Sequence, residues 1–593
     1  MKTLEHSLSK IVSNFLEDEF KTLIDDFEFQ LTRKDFEGDL TLVLFPLLKK
    51  VKTKPQELGD KLGSHLISVN QSVKKFNVVS GFLNLVIDDS FYIKFLENIM
   101  NNSNYGHKEP SINSPTLMIE YSSPNTNKPL HLGHIRNNLL GFSISKILKA
   151  NGNNVVKTQI INDRGIHICK SMVAWKNYGN GETPESSRLK GDQLVGKYYV
   201  LFEKKFQEQV HSLENEGHDK ESAIQNAPIM IEAREMLKKW EKNDSKIRSL
   251  WKKMNNWVYD GFAITYNNLG VDFDSYYYES DTYLLGKNVI DEGLKKKIFY
   301  SKPDGSVWID LRDDGLDEKI LLRSDGTAVY ITQDLGTVIK RFEDFPKMNS
   351  LIYTVGNEQD YHFKVLFAIL KKLGYSWADN LYHLSYGMVD LPQGKMKSRE
   401  GKVVDADNLI KEMKETAAKI SKRQGKIKDL TKDEKENLYD TIGLGALKYF
   451  ILKVDHKKRI LFDPEASVDF EGNTGPFIQY TFARIRSLLS KVSNNDILKT
   501  HDVSLDIREK EIIKHLVTYP DVLNSSAKQY SPAIIANYLY ELVRLFNSFY
   551  QNINILNEDN KEVKSIRLSI SRSVANNISL ASSLLGISVP DKM

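Results

Sequence analysis

Two histidines flank a Leu-Gly pair at His131-Leu132-Gly133-His134, and this is the sharpest chemical signal in the sequence. The segment stands where a turn-rich stretch, residues 122–129, passes into a run with helical spacing. A helix start offers free N–H groups and the positive end of the helix dipole, which together favour phosphate. Residues three apart share a helix face, so both imidazoles can serve one ligand. Gly133 has no side chain, so a flat ring such as adenine can lie on the backbone there. With 13 His and 33 Gly in 593 residues, chance supplies His-x-Gly-His only ~0.016 times. Two histidines capping a core helix are the plain alternative, and the strand-loop-helix setting argues against it.

That setting is a βαβ unit. Residues 117–121 (LMIEY) read as a short buried strand, 131–150 as a helix ended by Asn151-Gly152, and 155–161 (VVKTQII) as a second strand. Such a unit implies a parallel sheet. Upstream, residues 1–105 read as an α+β module. It has a helical start, a period-2 stretch at 40–44, a strand-like run at 77–87 and a linker at 101–115. Residues 185–260 are charged and helical. Residues 297–334 alternate in strand fashion around Asp314-Gly315 and Asp325-Gly326, an echo (LRDDG, LRSDG) that reads as a hairpin device. A second α/β stretch follows, with strands at 351–355 and 384–391 and a helix at 362–373. From Asp405 onward nearly everything reads helical.

Size and composition fit several soluble globular domains: 41% hydrophobic, 27% charged. The net charge of +4 does not by itself predict a nucleic-acid partner, so any RNA surface must come from local clusters. Basic runs at 422–428 and 453–459 are as compatible with solvated faces as with RNA. The single cysteine, Cys169, excludes a disulfide framework within the chain and a Cys-rich zinc site, and fits a reducing compartment. It reads as packing, since a nucleophile would need an activating base. The first 20 residues form an amphipathic pattern and not a signal peptide. No run approaches a membrane span.

Residues 120–137 (EYSSPNTNKPLHLGHIRN) resemble the signature of the arginyl-tRNA synthetases, class I enzymes. The likeness continues through 321–334 (LLRSDGTAVYITQD), 356–362, 386–401 (YGMVDLPQGKMKSREG) and 477–489 (FIQYTFARIRSLL), and ends with LLGISVPDKM. It implies an α/β fold with a Rossmann-type parallel-sheet catalytic domain, an N-terminal α+β module and a C-terminal all-α helical bundle. The expected division is a tRNA outer-corner module at 1–105, the first half of the catalytic domain at 106–180 and an insertion at 181–320. The second half follows at 321–394, a lysine-loop and stem-contact region at 395–460, and an anticodon-binding domain at 461–593. The expected reaction joins arginine to ATP and then to the 3′ end of its tRNA, with bound tRNA required for the first step.

The resemblance also assigns residues. Catalysis falls to His131, His134, Lys128, Lys395 and Lys397. The loop Lys395-Met396-Lys397-Ser398-Arg399 departs from the family's usual Lys-Met-Ser-Lys. That leaves open which lysine reaches the phosphates and gives Lys128 a compensating part. Lysines of this kind offset charge during nucleotidyl transfer. ATP is expected at Pro129, His131, Gly133, His134, Gly356, Glu358, His362, Gly387, Met388, Val389, Lys395 and Met396. A guanidinium needs carboxylates in a rigid, partly desolvated pocket. Arginine is expected at Glu120, Ser122, Asn125, His134, Tyr330, Asp334 and Gln359, and Tyr330 and Asp334 share a face if helical. tRNA is expected at Phe82, Asn84, Tyr480, Arg484, Tyr550 and Met593, since aromatics stack unpaired bases. Magnesium would travel with ATP, with no protein metal site. The partners are then tRNA(Arg), L-arginine and ATP, with no membrane, for a cytoplasmic monomer. Another class I ligase or nucleotidyl transferase is the nearest rival; a non-catalytic RNA-binding relative is a second. An absent editing insertion and absent zinc cysteines weigh against the first rival, and the intact HLGH and lysine loop against the second.

Overall fold

The computed structural model describes residues 2–24, 27–33, 35–390, 404–424, 430–492 and 503–593. The N-terminal module packs the helices Lys2–Phe20 and Pro55–Val69 with an antiparallel sheet. Its strands are Phe29–Leu31, Leu40–Val43, Phe82–Ile87 and Val73–Val79, in that spatial order. The single strand expected at 77–87 is a hairpin. Ser80 (φ 49°) and Gly81 (φ 85°) reverse the chain, the two positive φ values of a tight hairpin turn. Apolar residues on both sides of that turn had made one continuous run.

The next unit contains β1 (Thr116–Glu120), α1 (Leu132–Ala150), β2 (Asn154–Ile161), α2 (Ile166–Tyr178) and β3 (Ser275–Tyr278). It continues with α3 (Tyr330–Asp344), β4 (Met348–Gly356), α4 (Asp360–Leu373) and β5 (Leu381–Tyr386). These five strands form one sheet in the order β5-β4-β1-β2-β3, with every neighbouring pair parallel. The order reverses between β1 and β4. Open sheets of this kind bind ligands outside the carboxyl ends of the strands at such a reversal. The βαβ expectation therefore holds, and α1 begins at the reversal.

Four helices within 191–269 separate α2 from β3. A small antiparallel sheet (Phe299–Ser301, Val307–Ile309, Lys319–Leu322) separates β3 from α3. The strand-like reading of 297–334 needs two corrections. Asp314-Gly315 closes a 3-10 turn, with Gly315 at φ 71°, and makes no hairpin. The alternation also stops where α3 begins at Tyr330. Asp325-Gly326 does turn the chain, with Gly326 N–H donating to the Arg323 carbonyl at 2.9 Å. Short strands Val389–Asp390 and Ile460–Leu461 pair in parallel beyond β5.

The C-terminal part is helical: α5 (Gly475–Leu489), α6 (Ile507–Val517), α7 (Pro532–Asn552) and α8 (Lys561–Leu584), with Tyr519–Gln529 between α6 and α7. The end of α8 abuts α1. Ser143 Oγ donates to the Leu584 carbonyl at 2.9 Å and Lys146 Nζ to the Ser583 carbonyl at 3.2 Å. Lys448 Nζ donates to the Gly586 carbonyl at 2.6 Å. These donors satisfy carbonyls that a helix end leaves free.

The N-terminal module is seated on α6. Asp39 is buried and ion-paired with Lys510 (3.2 Å) and Lys514. Lys510 also donates to the Ile87 carbonyl at 2.9 Å. Nearby, Tyr105 donates to the Leu516 carbonyl (3.2 Å), and His107 Nε2 lies 2.9 Å from the Tyr519 hydroxyl.

Candidate active site

His131 caps α1 and His134 occupies its third position. Gly133 N–H donates to His131 Nδ1, and His131 N–H donates to His134 Nδ1, both at 3.1 Å. Each Nδ1 is therefore an acceptor, so a neutral ring carries its proton on Nε2. Burial pushes both imidazoles down, His131 to about 4, and the Lys128 charge adds to it. At pH 7 both rings are neutral Nε2–H donors, with centroids 3.9 Å apart. A neutral donor suits a phosphate oxygen at a helix start. Lys128, Pro129 and His131 line a cavity of about 390 Å³, shared with the insertion helix Gly191–Asn215.

The rest of α1 anchors the crevice. Arg136 is fully buried. Its guanidinium donates to the carbonyls of Gly387 (2.6 Å), Met388 (3.2 Å), His456 (2.9 Å) and Lys458 (2.8 Å). One fork thus ties the expected ATP residues Gly387 and Met388 to the histidine helix. Asn137 accepts from Ser122 N–H (2.5 Å) and donates to the Thr354 carbonyl (2.6 Å), bridging the ends of β1 and β4. Residues Lys395, Met396 and Lys397 lie outside the described residues. Downstream of them the chain meets α1 again: Leu132 N–H donates to the Val404 carbonyl at 3.3 Å, and Ala406 N–H to the Leu130 carbonyl at 2.9 Å.

Outside the ends of β1 and β2 lies a cavity of about 500 Å³. Asn125, Tyr330 and Asp334 line it, as expected for the arginine set, and so does Glu279. Tyr330 stands at the mouth, 79% exposed. Asp334 lies one helical turn further along α3, and His362 Nε2–H donates to its Oδ2 at 2.6 Å. The expected ATP residue His362 is therefore joined to the expected arginine residue Asp334. Burial pushes the Glu279 carboxyl up to about 7; Arg164 pulls it down, while Asp163 and Asp334 push it further up. Two carboxylates facing one polar cavity suit a permanently charged, planar cation.

Four members of the expected arginine set are placed differently, and one of them, His134, stands at the start of α1 and does not line this cavity. Glu120 is buried and ion-paired with Arg341 of α3, itself fully buried between Tyr277 and Tyr353. Burial works against the Arg341 charge, but Glu120, Tyr353 and Tyr277 together hold the guanidinium above its ordinary range. Ser122 is buried, and its hydroxyl lies 2.7 Å from that of Tyr266. Gln359 is exposed at the start of α4 and does not line the cavity. Of the remaining expected ATP residues, Glu358 follows Gly356 in the turn Asn357–Gln359 and folds its carboxylate over that glycine. Cys169 is buried with its thiol pushed up to about 12 by that burial, as packing requires.

Tyr480, Arg484, Tyr550 and Met593 converge on a separate cavity of about 570 Å³ in the helical part. The Arg484 guanidinium lies over Tyr480 (4.8 Å) and Tyr550 (5.2 Å). Such a rim can stack bases and hold phosphate. In the N-terminal module Phe82 meets Phe45 edge-on at 5.9 Å, with Arg33 over its ring at 5.7 Å. Asn84 needs correction as an RNA contact: it is fully buried, accepting from Thr41 Oγ1 (2.6 Å) and donating to Asn77 Oδ1 (2.9 Å). The basic run 453–459 is largely structural. Lys453 donates to the Asn473 carbonyl (2.7 Å), and Arg459 pairs with Asp390 (2.6 Å). The run 422–428 lies mostly outside the described residues.

Glu279 and Arg136 escape a reading of the sequence. Glu279 directly follows the tyrosine-rich strand β3 and opens the short helix Glu279–Thr282, which is one usable signal because Glu120 stands at the end of β1.

A parallel sheet reversing beside a His-x-Gly-His helix, with a helical bundle behind it, defines the class I aminoacyl-tRNA synthetases. Residues 95–463 match the family described as tRNA synthetases class I (R), catalytic domain. Residues 478–593 match the DALR anticodon binding domain, and 2–87 the arginyl tRNA synthetase N terminal domain. An arginine–tRNA ligase of Flavobacterium psychrophilum is 57% identical over 601 residues, covering all of both chains. One of Parabacteroides distasonis is 54% identical over 570 residues, 95% of each chain. The fold is that of the solved Thermus thermophilus arginyl-tRNA synthetase, at TM-score 0.75 and 22% identity with all of both chains covered. The chain belongs to the arginyl-tRNA synthetase family.

Proposed function

We propose that this arginine–tRNA ligase works in two steps at the crevice beside α1. A carboxylate oxygen of arginine attacks the α-phosphorus of ATP, the bond to the bridging oxygen breaks, and pyrophosphate leaves. A ribose hydroxyl at the 3′ end of tRNA(Arg) then attacks the carbonyl carbon of arginyl-adenylate, losing its proton as AMP leaves. The Nε2–H groups of His131 and His134, with Lys128 and the 395–399 loop, stabilise charge growing on the phosphates. Gly387 and Met388, held by Arg136, form the adenine edge with Val389. Asp334 and Glu279 read the guanidinium, and Tyr330 covers it. Asn125 and Gln359 orient the main-chain groups. Magnesium accompanies the triphosphate. The outer corner of tRNA meets the Phe82 face and the anticodon loop meets the Tyr480–Arg484–Tyr550 cavity. The enzyme is a cytoplasmic monomer on this reading, and among the described residues no helix is long and apolar enough to cross a membrane.

The observation that carries the arginine pocket is the cavity lined jointly by Asn125, Glu279, Tyr330 and Asp334. Side-by-side charging with twenty amino acids should single out arginine. An Asp334→Asn enzyme should raise the arginine KM about 100-fold, ~2.7 kcal/mol, because a charged hydrogen bond loses its acceptor charge. An unchanged arginine KM rules Asp334 out of the pocket. Arginine-dependent pyrophosphate exchange is expected only with tRNA present; exchange without tRNA defeats that part of the reading.

A further inference from the structure

Glu279 is gripped from two sides by one dipeptide. Asp163 is buried and accepts from the Ser280 N–H (2.8 Å) and the Ser280 hydroxyl (2.7 Å), fixing the backbone next to Glu279. It also accepts from the Tyr259 hydroxyl at 2.8 Å, which ties it to the insertion helix Ser245–Leu269. Its neighbour Arg164 faces the Glu279 carboxylate itself, Nη1 to Oε1, at 3.9 Å. That is too long for a hydrogen bond. The reason is visible in what else holds Arg164. Its Nη2 donates to Glu241 at 3.0 Å, and its plane lies 4.1 Å from the Tyr283 ring centre and 5.5 Å from that of Trp240. An arginine stacked and paired in this way cannot swing forward to close on Glu279. Among the described residues no hydrogen bond to the Glu279 carboxylate is made, so its acceptor sites stay open toward the cavity that Arg164 also lines.

We propose that Arg164 is a positioning residue for arginine specificity: parked on Tyr283 and Glu241, it keeps the Glu279 carboxylate charged without occupying its hydrogen-bonding edge. This rests on the reading that Glu279 takes the substrate guanidinium. A fixed cation in contact would consume the acceptors the substrate needs; no cation at all would leave a half-buried carboxyl among Asp163, Asp334 and its own neighbour Asp281. At 3.9 Å the attraction survives while the geometry stays free. The other charged or titratable groups around this cavity are Arg323, His167 and His362, the last bonded to Asp334.

Glu279 ionises at about 7 with Arg164 in place. Arginine binding therefore strengthens as pH rises through that value and is lost below it. Removing the opposite charge raises a carboxyl by about one unit or more. The test follows kcat/KM for arginine against pH, with saturating ATP and tRNA, in the full chain. Wild type should show an acid limb near pH 7. In Arg164→Gln the limb should move up by about one unit. The arginine KM should then rise about fivefold at pH 7, recover toward wild type at alkaline pH, and leave the KM for ATP unmoved. Arg164→Lys, which restores the charge, should bring the limb back. A limb that stays put in Arg164→Gln, or a KM defect equal at every pH, overturns the inference. A melting curve of each variant separates a folding loss, and Arg164→Lys stands as the second variant if the glutamine form does not fold. Glu279→Gln distinguishes the two layers. If it abolishes the limb and raises the arginine KM while Arg164→Gln changes nothing, only the role of Arg164 falls. If Glu279→Gln leaves both as in wild type, the pocket reading itself falls.

Discussion

A His134→Ala enzyme should form arginyl-adenylate about 10²–10³-fold more slowly, a loss of roughly 2.7–4 kcal/mol of transition-state stabilisation, while tRNA affinity changes little. His134 does two things at once. Its Nδ1 takes the His131 N–H, completing a reciprocal cap at the start of α1. That fixes the proton on Nε2 and aims it where phosphate binds. Alanine removes the donor and one cap, and the cap costs about 1 kcal/mol of helix stability. The catalytic loss is the larger, because a pre-aimed donor in a water-poor site contributes more to the transition state than to the folded ground state. The cavity around Arg484 is built from α5, α7 and the chain beyond α8, within the region matching the DALR anticodon binding domain, so binding of tRNA is expected to persist. Pyrophosphate exchange and equilibrium tRNA binding, run side by side, check both halves. Near-normal exchange would remove His134 from the chemistry.

Arg341→Met should cost about 3–5 kcal/mol of stability, the scale for a buried ion pair that loses one partner. Glu120 has its carboxylate inside the protein with Arg341 as its ion-pair partner. Taking away the guanidinium leaves a desolvated anion under the arginine cavity. The second substitution is the informative one. Glu120→Leu combined with Arg341→Met replaces both charges with apolar volume and should recover most of the loss, since a buried pair is often worth no more than well-packed hydrocarbon. Thermal unfolding followed by circular dichroism gives the comparison. If the double variant melts no higher than the single, the damage comes from lost packing against Tyr277 and Tyr353 and not from the stranded charge.

What could be read in the residues and what could not divides by distance along the chain. The His131–His134 pair is local, and helical spacing alone predicts that it shares a face. Tyr330 and Asp334 are one turn apart, so their common cavity follows once α3 is helical. Glu279 is invisible by that logic. It reaches Asp334 only because β3 pairs in parallel with β2 and α3 starts across from both, which is a fact of topology. The Glu120–Arg341 pair is hidden for the same reason: the strand-end position of Glu120 says that a carboxylate faces something, not that the partner comes from α3. Asn84 shows the converse error. An amide on the same strand face as Phe82 looks available for RNA, but its cross-strand neighbours Thr41 and Asn77 cover it and satisfy it. The hairpin at Ser80-Gly81 was masked by apolar residues on both arms, although the Gly itself is the residue a left-handed turn position calls for.

The seat of Asp39 on α6 bears on how parts of this enzyme can be exchanged. Asp39 belongs to the first module, and Lys510 and Lys514 to the helical bundle far along the chain. A chimera that imports only the amino-terminal segment from a distant relative would set a foreign face against two inward-pointing lysines. Grafting therefore has to carry both halves of the joint, the module and α6 together, for the hybrid to keep the module in register with the helical bundle.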